Sequence, residues 1–128
     1  MTQFQTRFVR GELQPNQLLA AMADLLREGA YSYWDPLLAN LLVTSTLNCM
    51  TTNALETRPA FRDMVVTPGA EGGAASSKFP YYYRNMSGVA EAWAILLYPR
   101  AVYPNLGQFF EAIPDMAVFI NFSNDVLS

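Results

Sequence analysis

Histidine is missing from this chain altogether. Its absence removes Ser-His-Asp triads, Cys-His dyads and histidine-ligated zinc together. Cysteine is nearly missing too. Cys49 stands alone, which excludes an internal disulfide and any paired-cysteine metal site. Charge is scarce: Asp, Glu, Lys and Arg make up 15 % of the 128 residues, against roughly 25 % in an average soluble domain. Eight Lys and Arg against eleven Asp and Glu leave a net charge of −3 and no basic cluster. Nucleic-acid binding through phosphate neutralisation is therefore not expected. Long apolar runs are absent as well. The longest, Ala92 to Tyr98, falls far short of the ~20 residues of a spanning helix, so no membrane span is expected. The opening MTQFQTRFVRGELQPNQ has no apolar stretch leading to a small-residue cleavage site. Without a secretory signal, and with one cysteine, the expected location is the cytoplasm.

What the chain does have is apolar side chains, 52 % of the total, in a length suited to one domain. Their spacing is helical. Leu18, Leu19, Met22, Leu25 and Leu26 form one stripe and predict a helix over about 17–28. Asn16 stands where an N-cap belongs, and Gly29 where a left-handed C-terminal residue belongs. Asp35-Pro36 is a second start signal, a capping carboxylate followed by proline at the first helical position. The helix it opens, Leu37 to about Glu56, is apolar around much of its circumference and is expected to pack on several sides. Residues 57–79 are rich in Pro, Gly and Ser and read as a long loop. A third helical region runs from about Pro80 toward Tyr98, with a break at Ser87-Gly88. A last helix starts near Leu106, where Pro114 should kink it or delay its regular start. No strand alternation and no internal repeat are found. The expected fold class is all-α, with about four helices. The chain reaches Ser128 inside that last helix without a glycine or a basic last turn. The expectation is one incomplete domain, a piece of a larger helical fold.

The last helix carries the chemistry. Counted from Ile113, residues Met116, Ala117, Ile120, Asn124 and Ser128 lie on one side of it. Asn124 and Ser128 thus stand on an apolar stripe, one turn apart. A buried amide or hydroxyl without a partner costs ~1–3 kcal/mol, so a neighbouring helix or a ligand should satisfy them. Two neutral oxygens hold a hard cation poorly. A carboxylate four residues past Ser128 would complete a face suited to magnesium. Asp125 lies about 100° round the helix from Asn124 and is expected to face neighbouring helices or solvent.

The pattern Asn124-Asp125-x-x-Ser128 resembles the start of the NDxxSxxxE metal motif of class I terpene cyclases, in particular the fungal trichodiene-synthase-like group. A second block, FPYYYRNMSG at 79–88, is similar to the family's segment in which an arginine contacts the substrate diphosphate. The resemblance implies Arg84 as diphosphate sensor, Ser87 as linker and Gly88 as effector, with Asn124 and Ser128 as ligands of Mg2+. It implies a partial class I terpene synthase helical bundle. It also implies a prenyl diphosphate substrate, farnesyl diphosphate for this group, ionised and then cyclised. The likeness covers about 79–128. The family's aspartate-rich DDxxD motif and the closing glutamate of NDxxSxxxE are not in this sequence. The expectation is therefore a terpene synthase fragment that is inactive alone. The alternative is a non-catalytic helical module that binds an apolar ligand or a partner helix, or self-associates through an exposed apolar face. On the residues alone, Arg84 also fits a helix arginine paired with Glu91, and Gly88 fits small-residue helix packing. The rings of Tyr81 to Tyr83, Phe109 and Phe110 fit core positions better than a wall facing a cation.

Overall fold

The computed structural model describes residues 3–62 and 79–127. The chain folds as helices throughout these residues, with no strand among them: α1 (Phe4–Arg10), α2 (Gln17–Asp24), a π turn (Leu25–Gly29), α3 (Ala30–Tyr33), α4 (Pro36–Glu56), α5 (Pro59–Arg62), α6 (Phe79–Met86), α7 (Val89–Leu96), a 3-10 turn (Leu106–Gln108) and α8 (Ala112–Leu127). The all-α expectation holds.

Local chemistry sets most boundaries. The Asn16 side chain accepts a hydrogen bond from the Leu19 amide at 2.9 Å, and Asp35 accepts one from the Leu37 amide at 2.8 Å. Both are N-caps at the predicted positions. Gly29 does not end its helix. Its φ is −62°, right-handed, and the rod runs on through α3. A Cβ there would lie 2.6 Å from the end of the exposed Leu25 side chain, which is free to move aside. The rod ends where Trp34 turns extended ahead of the Asp35-Pro36 start. The first helix, α1, has no counterpart among the predicted elements. It closes at Gly11, whose φ is 69°.

Two apolar clusters hold the molecule together, and α4 lies between them. Phe4, Leu19, Ala23 and Leu26 pack with Leu47 and Met50 of α4. Leu38, Ala39 and Leu42 of α4 pack with Ala94 and Ile95 of α7, Phe109, and Ile113 of α8. Val43 touches both clusters. This is why α4 shows no single apolar face. Trp34 donates its indole N–H to the Ile95 carbonyl at 3.1 Å, which ties the α3–α4 corner to the end of α7.

The expected loop 57–79 falls mostly outside the described residues. Within its described part, Pro59–Arg62 forms one helical turn rather than loop. Pro114 delays α8 rather than kinking it. It sits in the first turn, where a missing N–H costs no intrahelical bond. Tyr98 stacks on Phe109 at 4.3 Å and donates its hydroxyl to Met116 Sδ at 2.9 Å. At the other end of the pair, Arg84 just before α7 meets Asp125 of α8. Helices α7 and α8 therefore run antiparallel, and the junction of α6 and α7 lies beside the last turns of α8.

Candidate functional site

The predicted break at Ser87-Gly88 separates α6 from α7. Gly88 has φ 68°, a conformation that costs a residue with a Cβ ~1–2 kcal/mol. It is also buried against α4. A Cβ at position 88 would lie 2.4 Å from the Ser45 carbonyl oxygen and 2.9 Å from Ser45 Cα. So Gly88 makes the break and also permits the close helix packing, the two readings its sequence allowed. Ser87 caps the end of α6, its hydroxyl donating to the Arg84 carbonyl at 2.6 Å. The Gly88 carbonyl accepts the Ala92 amide at 3.0 Å and so opens the hydrogen-bond ladder of α7.

Arg84 projects from α6 toward α8. Its Nη2 donates to the Asp125 carboxylate and, at 3.2 Å, to the Asn121 carbonyl. Its Nε is buried with no hydrogen-bond partner. Arg84 and Asp125, with Tyr81 and Phe122, line a cleft of about 120 Å³ between α6 and α8. On the other side of Arg84 a hollow of about 350 Å³ separates α6 from α4, with Cys49, Glu56, Tyr83 and Ser87 on its walls. There Tyr83 donates its hydroxyl to Glu56 at 3.0 Å and to the Thr52 carbonyl at 3.1 Å. Burial, then the hydrogen bond to the Glu56 carboxylate and its charge, push the phenol up to about 12, so it stays a donor at neutral pH. Burial also raises the Cys49 thiol, against a hydrogen bond from Asn53 that lowers it. That makes Cys49 a weak nucleophile.

Asp125 rather than Glu91 is thus the partner of Arg84. Glu91 accepts a hydrogen bond from the buried Ser45 hydroxyl instead. The residues that engage Arg84, Asn121 and Asp125, are four apart and share one face of α8. Asn121 was not singled out in the sequence, and nothing in the sequence names the helix that this face meets. Asn124 is exposed, and Ser128 lies outside the described residues. The stripe that should bury Asn124 does bury Ile113 and half-buries Met116, Ala117 and Ile120. It then runs past its support, because α7 has 8 residues and α8 has 16. At Asn124 the buried-amide argument for a ligand therefore loses its force. The structure brings Arg84, Ser87, Gly88 and the end of α8 together.

The charge chemistry does not make a magnesium site from these residues alone. Among the described residues no group of three His, Cys, Asp or Glu side chains could hold a metal ion. Asp125, the carboxylate beside Asn124, already neutralises Arg84. Asn124 and Ser128 offer neutral oxygens only.

No family model matches the chain. Comparison with curated proteins is informative over nearly its whole length. The chain is 38 % identical over 125 residues to the terpene synthase BipA of Cochliobolus sativus. It is 41 % identical over 125 residues to the longiborneol synthase of Gibberella zeae. In both cases 98 % of the chain is aligned, to 36 % and 35 % of the relative. It is 33 % identical over 133 residues to the (E)-beta farnesene synthase of Metarhizium brunneum, covering all of the chain and 37 % of that protein. The chain spans about a third of the length of these curated relatives. Over nearly all of its residues it is therefore a homologue of fungal terpene synthases, matched to one segment of them.

Proposed function

We propose that the chain carries the diphosphate-contacting segment of a magnesium-dependent sesquiterpene synthase of the trichodiene-synthase-like group. The substrate of the whole protein is then farnesyl diphosphate. One observation carries this reading: a helix break fixed by Gly88 sets Arg84 against the last turns of α8, beside Asn124. An arginine is always charged and matches phosphate oxygens with paired N–H groups. Arg84 binds the diphosphate. Ser87 and Gly88 hold the end of α6 so that the guanidinium keeps its place. Asn124 and Ser128 keep the role the resemblance implies, as two neutral oxygens toward magnesium. Among the described residues no group of three carboxylates gathers to complete such a site.

The test is a calorimetric titration of the full chain with inorganic pyrophosphate, without metal. Binding is expected, and Arg84→Ala is expected to weaken it about tenfold or more, the loss of a charge-assisted hydrogen-bonded contact. Equal affinity in both proteins overturns the assignment of Arg84. The 128 residues alone are expected to form no terpene from farnesyl diphosphate and magnesium, because the carboxylates among the described residues do not assemble a metal site. Robust product by gas chromatography overturns that part.

A second reading is favoured by α8 itself. Val118, Phe119, Phe122 and Val126 stand exposed on the side away from α7. That face suits an apolar ligand or a partner helix. It gains weight if pyrophosphate binds neither protein.

A further inference from the structure

We propose that Asp125 is an internal competitor for the anion site: it holds Arg84 as its counter-ion, and a diphosphate must displace it to bind. This deepens the reading above and rests on it. The geometry is specific. Nη2 donates to one face of α8, to the Asp125 carboxylate and to the Asn121 carbonyl one turn earlier. The neighbouring donor of the fork, Nε, is buried and unpartnered. Arginine grips a phosphate with two adjacent N–H groups. Here one member of that edge is taken by α8 and the other is left unsatisfied, so the resting arrangement fills half of a bidentate site.

The pair can be exchanged. The side chains of Arg84 and Asp125 are 35 % and 56 % exposed, so an anion meets their contact from solvent, and the buried Nε becomes reachable as that contact opens. An ion pair that is this open is weak. A diphosphate brings several anionic oxygens against one carboxylate and satisfies Nε as well as Nη2. Displacement also has a structural consequence. It breaks the ion pair that joins α6 to the end of α8, and it releases a carboxylate next to Asn124. By linkage, whatever loosens that ion pair strengthens anion binding, and the reverse.

The experiment is the same pyrophosphate titration on Asp125→Asn, with helix content checked by circular dichroism. Asn keeps the size of the side chain and removes the competing charge. Affinity is expected to rise about three- to tenfold, and Asp125→Ala should give a rise of the same size. In the Arg84→Ala background the Asp125→Asn change should do nothing, because the competition acts through the guanidinium. Asp115→Asn, another exposed carboxylate on α8, should also do nothing. Three results overturn the proposal: affinity unchanged or lower in Asp125→Asn, an equal rise in Asp115→Asn, or a rise that persists without Arg84. If wild type binds, Arg84→Ala does not and Asp125→Asn is no tighter, the competitor fails while the diphosphate reading stands. If neither wild type nor Asp125→Asn binds, both fall.

Discussion

Gly88→Ala is expected to destabilise the chain by about 2–5 kcal/mol, lowering the melting temperature by roughly 10 °C or more. Two costs add. The first is conformational, because φ 68° places a Cβ against its own backbone, ~1–2 kcal/mol. The second is a collision, with the new carbon 2.4 Å from the Ser45 carbonyl oxygen and 2.9 Å from Ser45 Cα. Those are backbone atoms inside α4, and no rotamer change moves them aside. The α6–α7 junction must shift instead, at the ~1–3 kcal/mol typical of overpacking. Gly11→Ala separates the two costs. Gly11 has φ 69°, and nothing lies within 4 Å of a Cβ built there. It should lose only the conformational part. Urea unfolding of both variants reads the difference directly, and a Gly88→Ala loss no greater than that of Gly11→Ala refutes the close contact with Ser45. The same shift would carry Arg84, four residues earlier, away from α8.

Elements governed by neighbouring residues were legible in the sequence. Asn16 and Asp35-Pro36 cap helices because a side-chain oxygen meets an amide two or three residues on, which needs no partner from elsewhere. The break at Ser87-Gly88 follows from the one residue there that adopts positive φ freely. Gly29 misled because the same residue type has two uses. At φ −62° it is an ordinary helical residue, and a glycine inside a continuing rod looks in the letters like a stop signal. The π turn over Leu25–Gly29 and helix α1 left no periodic signal strong enough to read. At the candidate site the helix break beside Arg84 was legible and the pairing was not. Arg84 finds Asp125 rather than Glu91 only because α8 passes α6 on that side. The exposure of Asn124 depends on where α7 stops supporting α8, which is a property of two helices and not of one stripe.

Ile95→Ala should cost about 2–5 kcal/mol, the range for truncating a fully buried aliphatic side chain. Ile95 is completely buried, in the cluster where α4, α7 and α8 meet with Phe109. Ala94 beside it and Ala39 of α4 are completely buried as well. Small residues at those two positions bring the backbones close and leave Ile95 to fill the space between them. A cavity opened there has rigid walls, because the Ile95 carbonyl is bound by the Trp34 indole and Phe109 is stacked on Tyr98. Poor collapse puts the expected loss in the upper half of the range. Against a total stability of about 5–15 kcal/mol for a typical domain, such a loss is a large fraction of what holds the fold. Val126→Ala removes aliphatic carbon from α8 as well, but Val126 is 82 % exposed, and its loss should stay within about 0.5 kcal/mol. Equilibrium unfolding in urea compares the pair. If Ile95→Ala falls as little as Val126→Ala, the junction of α4, α7 and α8 is not the core. The Gly88 break, which leads into α7, would then have no rigid base from which to aim Arg84.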